Sequence, residues 1–375
     1  MKILHIIPNL NKGGAERICL DICIEMQSRS GHEILLVLLE DKTEYKNLSK
    51  QVKSIISKST IQLSFKGKNQ IDIDNLQNII DDFKPNIIHS HLFLAELYSQ
   101  HLNTAAPRFC HVHDNMSQLE KISKTKLFSK QGLLKQFERS YYLKLTKSKK
   151  INFICISRDA EKFILGNLPN KKHNTIYLPN AINTSVFKNQ TVRTLGKISL
   201  CSIGSFVPKK GQELLIKTIK ELKSLTNKNI ELNLLGDGPL RKDLETLVHQ
   251  LNLEQEVFIQ GKVDFPEKFL NNSNLYVHSA SYEPFGLVLI EAMSTGLPVI
   301  STDGRGNRDF MDGSNGVLLN HRDPELFAKE ILSLIEDKER YLKLQKGALE
   351  TASKYDIKPY VDRLIKLYQK AIDEQ

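Results

Sequence analysis

Two glutamates and a turn between them form one candidate binding element. Glu283 and Glu291 are eight positions apart, and Pro284 and Gly286 favour a helix that begins near Gly286. The free N–H groups of a helix start attract phosphate. Glu291 would lie roughly 7 Å further along the helix axis. This spacing suits a long ligand with phosphate and hydroxyl groups, and the alternative is a surface turn followed by a buried helix.

Lys210 lies between a strand-like run and Gly211, so its ammonium group could meet a diphosphate. Gly236 and Gly238 bracket Asp237 in a second tight turn after a strand-like run. A turn in that place lines the ligand-binding edge of a parallel sheet. The alternatives are a surface lysine and an ordinary turn.

Histidines and glycines mark the ends of strands in the first half of the chain. His113 follows the run Arg108–Val112, where a neutral imidazole could hydrogen-bond a hydroxyl group of a ligand. His111 is expected to point the other way and to pack. Gly13 and Gly14 would let a helix start approach a ligand, but their spacing is not the GxGxxG pattern, so NAD is not indicated.

These residues lie on an alternation of short apolar runs and helical periodicities, which predicts parallel sheets built from right-handed βαβ units. The predicted strands are Ile3–Ile7, Glu33–Leu39, Asn86–His89, Arg108–Val112 and Asn152–Ile156, then Ile198–Ile203, Ile230–Leu235, Val257–Gln260, Leu275–His278 and Pro298–Ser301. The stretch Leu178–Gly196 between the two series predicts an interdomain linker. The tail predicts helices over Pro324–Ile335, Lys338–Ser353 and Lys358–Ala371.

Composition narrows the class of protein. The formal net charge is +10, and the segment 121–150 alone has ten lysines and arginines against one acid, Glu138. Such a patch suits phosphate, nucleic acid or an anionic membrane, and the alternative is a solvated helix face. The five cysteines are scattered and odd in number, which favours reduced core residues in a cytoplasmic protein. No window predicts a membrane span or a signal peptide.

Several motifs, in order, resemble the family 4 glycosyltransferases of the GT-B fold, including bacterial capsular and exopolysaccharide enzymes. The run from Glu283 to Glu291 resembles the signature of that family, and Thr295–Ile300 fits its continuation. The other matching segments are Lys12–Arg17, His111–Asp114, Ile156–Ser157, Leu178–Asn183 with Phe187, Pro208–Gly211 and Leu235–Leu240.

The resemblance implies an α/β protein of GT-B fold, with two Rossmann-like domains whose parallel sheets face a central cleft. Residues 1–185 would bind the acceptor and residues 190–355 the nucleotide sugar. Residues 356–375 would form a helix that packs back on the first domain.

The resemblance also implies roles for individual residues. His113, Glu283 and Lys210 would be catalytic. Gly13, Gly14 and His113 would bind the acceptor. The donor-binding set would be Gly14, Ser205, Gly236, Glu283, Phe285, Gly286, Leu287 and Glu291. No metal and no cofactor are expected, because Lys210 and the helix start at Gly286 would neutralise the leaving phosphate.

The implied reaction moves a hexose or N-acetylhexosamine with retention from a nucleotide-diphosphate sugar, expected to be a UDP-sugar. The acceptor would be a glycan or a polyprenol-linked lipid in polysaccharide synthesis. No nucleic-acid partner is expected. Residues 121–150 are predicted to contact an anionic membrane at the inner face of the cell membrane, because Leu133, Leu134, Phe137, Tyr141 and Leu145 recur at helical spacing among basic residues.

The sequence departs from the family in two places. Ser205 stands where the family usually has an arginine, and Lys209, Arg305 or Arg308 could supply the missing charge. Asp309 could stand in for a family glutamate. A non-catalytic binding protein, a sugar-nucleotide epimerase and a phosphorylase remain alternatives. Asp72-Ile73-Asp74 resembles a metal motif of another glycosyltransferase fold but precedes a helical pattern, which favours helix capping.

Overall fold

A computed structural model describes residues 1–65, 67–121, 129–168, 172–188 and 193–374, without the side chain of Lys130. The chain divides into two compact units. Unit 1 comprises the described residues of Met1–Asn180 and Ile357–Gln375, and unit 2 comprises those of Ala181–Asp356. The chain thus leaves unit 1 after Asn180 and returns to it at Ile357.

Unit 1 is built on a parallel sheet with the strand order β3-β2-β1-β6-β7-β8-β9. Its strands are β1 (Lys2–Ile7), β2 (Glu33–Leu38), β3 (Ser54–Ile56), β6 (Ile87–His91), β7 (Arg108–Val112), β8 (Ile151–Cys155) and β9 (Asn174–Tyr177). A separate antiparallel hairpin joins β4 (Thr60–Gln62) to β5 (Gln70–Asp72). The helices are α1 (Gly14–Gln27), α2 (Lys46–Ser49), α3 (Asp74–Phe83), α4 (Leu92–His101), α5 (Lys130–Thr146), α6 (Arg158–Asn167) and α13 (Ile357–Asp373).

Unit 2 repeats the plan with the strand order β12-β11-β10-β13-β14-β15. Its strands are β10 (Ile198–Ile203), β11 (Ile230–Leu235), β12 (Val257–Gly261), β13 (Leu275–His278), β14 (Val299–Thr302) and β15 (Gly316–Leu319). Its helices are α7 (Gln212–Leu225), α8 (Arg241–Gln250), α9 (Pro266–Asn272), α10 (Leu287–Ser294), α11 (Pro324–Glu336) and α12 (Lys338–Ser353).

The central strands form where the sequence has apolar runs without alternation, because both faces of these strands are covered. All residues of β6 and β8 are buried, as are five of the six in β1. The predicted α/β class with two Rossmann-like parallel sheets is confirmed. The predicted strands match to within two residues at each end, and the helix predicted over Lys338–Ser353 is matched residue for residue.

The prediction omits three short strands at sheet edges, β3, β9 and β15, and the two strands of the separate hairpin, β4 and β5. All three residues of β3 and all three of β5 are exposed, so the sequence there has no hydrophobic alternation to reveal them. The end of β6 was also misplaced, since the strand extends through His91 rather than ending at His89. Asp72 accepts a hydrogen bond from the backbone N–H of Asp74 at 3.2 Å, at the start of α3.

One loop of unit 2 fixes the turn that precedes α10. The backbone N–H of Glu283 donates to the Gly304 carbonyl at 2.8 Å, and the N–H of Gly306 donates to the Glu283 carbonyl at 3.0 Å. A Cβ atom on Gly304 would lie 2.6 Å from the Cβ of Glu283, and one on Gly306 would overlap the Pro284 carbonyl. The two glycines therefore permit the close approach that fixes the backbone of Glu283.

None of the helices in the described part of the chain combines the length and the apolarity needed to cross a bilayer.

Gly306→Ala should lower the free energy of unfolding by about 1–3 kcal/mol, the usual cost of overpacking, because the added methyl group meets backbone atoms that cannot rotate away. Denaturant unfolding followed by circular dichroism measures the change. Gly196→Ala is the matched control, since an added Cβ there meets nothing within 4 Å. Equal stability of the two variants would contradict the close approach.

Candidate active site

An ion pair between a buried glutamate and a partly buried lysine forms the centre of the candidate site in unit 2. The Lys210 ammonium lies 2.5 Å from Oε2 of Glu283, and the same oxygen lies 2.9 Å from Nε2 of His278 at the end of β13. Glu283 and His278 are 6% and 2% exposed. One carboxylate oxygen thus receives both a cation and an imidazole at the carboxyl end of the sheet.

The charge state of Glu283 follows from these contacts. Burial alone would raise the pKa of its carboxyl group, but the Lys210 ammonium and the His278 imidazole outweigh it and lower the pKa to about 2. Burial lowers the pKa of His278, although Glu283 opposes that shift. At neutral pH the cluster therefore holds a carboxylate, an ammonium group and an imidazole that burial keeps mostly neutral.

The loop that holds Lys210 is fixed by the segment after β13. Ser279 donates through Oγ to the Lys210 carbonyl at 2.9 Å, and the backbone N–H of Ser281 donates to the Lys209 carbonyl at 2.8 Å. Gly211, with φ +64°, then turns the chain into α7 as its N-cap. Glycine favours this left-handed conformation, so the predicted loop before the helix has a physical basis.

Glycines also line the ends of β10 and β11. The backbone N–H of Gly204 donates to the Leu235 carbonyl at 2.9 Å, and a Cβ on Gly236 would overlap the Gly204 carbonyl. Gly238, with φ +159°, lies against the backbone of Phe206. Ser205, beside Gly204, is exposed, and its carbonyl accepts from Nε2 of Gln212 at 3.0 Å. The predicted donor residues Ser205 and Gly236 therefore lie at neighbouring strand ends.

The helix start predicted at Gly286 is present one residue later. Gly286 is the N-cap of α10 with φ +101°, and Leu287 is the first helical residue. Phe285 is buried and packs against the rings of Phe310 and Tyr355, with centroids 5.3 and 5.7 Å away. Glu291 lies in the second turn of α10 and is 8% exposed.

The charge expected to replace the missing arginine has several possible sources. Arg308 pairs with Asp303 at 2.5 Å, while Lys209 and Arg305 lie over the ring of Tyr282, 5.8 and 5.9 Å from its centroid. Asp309 ends a single 3-10 turn, Asn307–Asp309.

Arg322 and His278 are two residues that the sequence reasoning missed. The Arg322 guanidinium donates to the Ser279 carbonyl and lies against Gly211, next to the Lys210 loop. Arg322 lies far along the chain from every motif. His278 could have been found as a histidine at a strand end five residues before Glu283.

In unit 1, the glycine loop lies at the end of β1. Gly13 is the extended N-cap of α1, and its carbonyl accepts from the hydroxyl of Tyr45 and from the N–H of Arg17, both at 3.0 Å. Gly14 is the first residue of α1. The first N–H groups of a helix have no backbone partner within the helix. At α1 the Glu16 carboxylate lies beside Gly13 and accepts a hydrogen bond from the N–H of Glu16, so a ligand would meet the remaining N–H groups.

Five histidines of unit 1 share one face of its sheet. In the strand register, His5 lies opposite His89, and His91 lies opposite His111. His113 follows β7 and stacks on His111 with centroids 4.2 Å apart. The expectation that His111 points away from His113 is wrong, because residues two apart in a strand share a face.

All five imidazoles are held neutral by burial. Burial, with a smaller contribution from His111, lowers the pKa of His5 to about 3, and burial lowers that of His111 to about 4. The pKa values of His89, His91 and His113 also lie well below the ordinary value for the same main reason. The residues that cover this face include Tyr368 of α13, whose hydroxyl lies 2.5 Å from Nδ1 of His89.

Three groups of side chains in the described residues could be considered for a metal ion, since their ligand atoms lie within 4.8 Å of one another: His5 with Cys19 and Cys23, His5 with His89 and His91, and His91 with His111 and His113. Each group of three histidines contains a face-to-face pair, with centroids 4.5 Å apart for His89 and His91 and 4.2 Å for His111 and His113. Imidazole lone pairs lie in the ring plane, so stacked rings do not direct them at one point. The histidine groups as arranged therefore do not fit a metal.

Two family descriptions match the chain in succession. Residues 12–186 match Glycosyltransferase Family 4, and residues 184–351 match Glycosyl transferases group 1. Together they reach from the glycine loop before α1 to the end of α12.

Individual relatives match parts of the chain. The lipopolysaccharide core biosynthesis glycosyltransferase LpsE of Rhizobium meliloti is 35% identical over 151 residues, covering 40% of this chain and 43% of the relative. The poly(ribitol-phosphate) alpha-N-acetylglucosaminyltransferase of Staphylococcus aureus is 29% identical over 204 residues, covering 54% and 40%. An uncharacterized glycosyltransferase of Methanocaldococcus jannaschii is 28% identical over 236 residues, covering 62% and 63%. The chain thus spans less than two thirds of the length of these relatives.

Solved structures match over nearly the whole chain. Anabaena HepE, solved with UDP and glucose, has a TM-score of 0.77 at 20% identity and covers 98% of this chain and 99% of its own. WaaG, a glycosyltransferase involved in lipopolysaccharide biosynthesis, has a TM-score of 0.71 at 16% identity, covering 98% and 99%. At such identities the likeness establishes the fold. With both family descriptions matched in order along this fold, the chain belongs to the family 4 glycosyltransferases, which have the GT-B fold.

Proposed function

We propose that this protein transfers a hexose or N-acetylhexosamine, with retention of configuration, from a UDP-sugar to a glycan or lipid-linked acceptor in polysaccharide synthesis. The observation that carries the proposal is the buried Lys210–Glu283 pair at the strand ends beside the start of α10. The names of the relatives support the substrate class, since one acts on lipopolysaccharide core and one transfers N-acetylglucosamine. HepE has also been solved with UDP-glucose.

Unit 2 would hold the donor. Glu291 would accept hydrogen bonds from the ribose hydroxyls, while Glu283 and the backbone of Phe285, Gly286 and Leu287 would bind the transferred sugar. A carboxylate whose pKa lies near 2 is fully ionised at neutral pH and can accept hydrogen bonds from sugar hydroxyls. Gly236 and Ser205 would line the nucleotide at the strand ends.

Lys210 and the N–H groups at the start of α10 would stabilise the leaving phosphate. As the bond between the anomeric carbon and the phosphate oxygen breaks, negative charge grows on the nucleoside diphosphate. A fixed ammonium group and a helix start stabilise that charge without a metal ion. The acceptor oxygen then bonds to the anomeric carbon on the same face, and its proton passes to the leaving phosphate.

Unit 1 would hold the acceptor near Gly13, Gly14 and His113. The helix start at Gly14 offers N–H groups, and His113 offers a neutral imidazole for a hydroxyl. A neutral group suits this place because the acceptor hydroxyl is itself uncharged.

The basic segment 121–150 would contact an anionic membrane through the beginning of α5. Leu133 and Leu134 are 40% and 43% exposed, whereas Phe137 packs edge-to-face on Phe65 and Tyr141 lies 3.2 Å from His101. Only part of the predicted stripe is therefore available to lipid, and the proposed contact is restricted to the first two turns of α5. Residues 122–128, with Lys124 and Lys126, and the side chain of Lys130 lie outside the described part of the chain.

Glu291→Ala should weaken binding of UDP and of the intact UDP-sugar alike, because the lost contact is to ribose. Loss of a charged hydrogen-bond acceptor costs about 1.5–3 kcal/mol of binding free energy. The Kd of either ligand, measured by calorimetry, should therefore rise about 10- to 100-fold. Unchanged affinity for UDP would overturn the assignment of Glu291.

Glu283→Gln is the paired variant. It should leave the Kd of UDP nearly unchanged, because Glu283 is proposed to bind the sugar and not the nucleotide. It should lower kcat, because a neutral amide accepts hydrogen bonds from the sugar hydroxyls less strongly than a carboxylate does. An equal loss of UDP affinity in both variants would contradict the assignment of Glu291 to the ribose and of Glu283 to the transferred sugar.

EDTA should leave turnover unchanged, since the proposed stabilisation of the leaving phosphate comes from Lys210 and the helix start. Steady-state rates before and after chelation measure this, with a manganese-dependent transferase as the positive control for chelation. A complete loss that added Mg²⁺ or Mn²⁺ restores would refute the scheme.

The wild-type protein should float with anionic liposomes at low salt and dissociate from them at high salt. The reason is that each basic residue near the membrane surface contributes about 1 kcal/mol of binding free energy. Changing Lys124, Lys126, Lys130 and Lys135 to Glu should abolish flotation. The control reverses four exposed lysines on or next to α12, namely Lys338, Lys343, Lys346 and Lys354. If both sets behave alike, the segment has no special membrane role.

A further inference from the structure

Three of the buried histidines form a hydrogen-bonded chain. Nδ1 of His5 lies 3.0 Å from Nε2 of His91, and Nδ1 of His91 lies 3.0 Å from Nε2 of His113. All three rings are neutral at pH 7, since burial lowers their pKa values. A neutral imidazole has one N–H donor and one lone pair. The chain must therefore run in one direction, with every ring donating toward the same end.

The two directions differ in where they leave an N–H group without a partner. Nε2 of His5 and Nδ1 of His113 have no hydrogen-bond partner in the described residues. If the rings donate toward His5, the unpaired N–H is at His5, which is 0% exposed. If they donate toward His113, it is at Nδ1 of His113; that atom is itself buried, but its residue is 8% exposed and follows the end of β7.

The energetics favour donation toward His113. A buried N–H without an acceptor is rarer in proteins than an unpaired acceptor. The residue at the His113 end is partly exposed to solvent, whereas the residue at the His5 end is 0% exposed. The direction His5 to His91 to His113 leaves only a bare nitrogen at His5 and places the N–H group on the residue nearer to solvent.

We propose that His91 is a positioning residue that holds His113 as the neutral tautomer with its proton on Nδ1, so that His113 presents an N–H donor to its ligand. Free histidine in water favours the proton on Nε2, so this tautomer is imposed by the chain. His111 also restrains the His113 ring, because its own ring stacks on His113 while its Nε2 lies 3.1 Å from Oδ1 of Asn180.

This assignment restricts what His113 can do and deepens the proposed function, on which its chemical consequence rests. An N–H donor at Nδ1 can bind a lone pair of a sugar hydroxyl or an anionic oxygen. It cannot take a proton from an attacking hydroxyl, because its other nitrogen already accepts from His91. His113 is then an oxygen-binding group and not the general base.

Imidazole ¹⁵N chemical shifts test the tautomer without any turnover. In protein labelled with ¹⁵N-histidine, the His113 signals are assigned as those lost in His113→Gln. We expect a protonated Nδ1 and a bare Nε2 in the wild type at pH 7. In His91→Leu the Nε2 signal of His113 should move to the position of a nitrogen that accepts no hydrogen bond, and His91→Gln should restore the wild-type signal because its amide can donate to Nε2 of His113.

His89→Leu is the matched control, since His89 lies on the same face of β6 but bonds to Tyr368. It should leave the His113 signals unchanged. A proton on Nε2 in the wild type, both nitrogens protonated, or an unchanged Nε2 signal in His91→Leu would overturn the proposal.

Kinetics separates this inference from the proposed function. In an active transferase, His91→Leu should lower kcat by about tenfold, the contribution of one hydrogen bond, with the KM of the nucleotide sugar unchanged and with kcat rescued in His91→Gln. The expected tautomer without sugar transfer from any donor would contradict the function alone. Transfer without the tautomer would contradict the inference alone.

Discussion

The chemistry proposed for this protein depends on keeping an ammonium group and a carboxylate together at a largely buried site, where their side chains are 16% and 8% exposed. Removing charges from solvent is costly, and a buried pair persists only when its geometry and additional hydrogen bonds compensate. Here Oε2 of Glu283 meets both Lys210 and His278, so the carboxylate has two partners on one oxygen. Loss of one partner from such a pair typically costs about 3–5 kcal/mol. The pair therefore requires a backbone that places both side chains accurately.

That accuracy comes from strand ends and glycines. Lys210 is set by serines that follow β13, and Glu283 is set by the loop after β14, where Gly304 and Gly306 touch its backbone. In unit 1 the corresponding strand ends hold neutral imidazoles instead of ions. The contrast suits a division in which one unit stabilises a charged diphosphate and the other binds an uncharged hydroxyl.

Much of this could be predicted from the sequence, because the central strands are buried on both faces and appear as continuous apolar runs. The turn before α10 could also be predicted, since Pro284 and Gly286 favour a turn that leads into a helix. Contacts between segments that are far apart in the sequence could not be predicted. Arg322 reaches the Lys210 loop across more than a hundred positions, and the histidine chain joins His5 to His113 through strand register. His111 and His113 lie on one face because side chains two residues apart in a strand point the same way.

The most direct test of the central claim is the fate of a UDP-sugar incubated with the protein and no acceptor. Proton NMR follows UDP release and the anomer of the freed sugar before mutarotation. The account predicts slow hydrolysis of UDP-glucose or UDP-N-acetylglucosamine that first yields the α-anomer, is abolished by Lys210→Met and does not require a metal ion. Initial release of the β-anomer would contradict retention, and no release from any nucleotide sugar would contradict the transferase function itself.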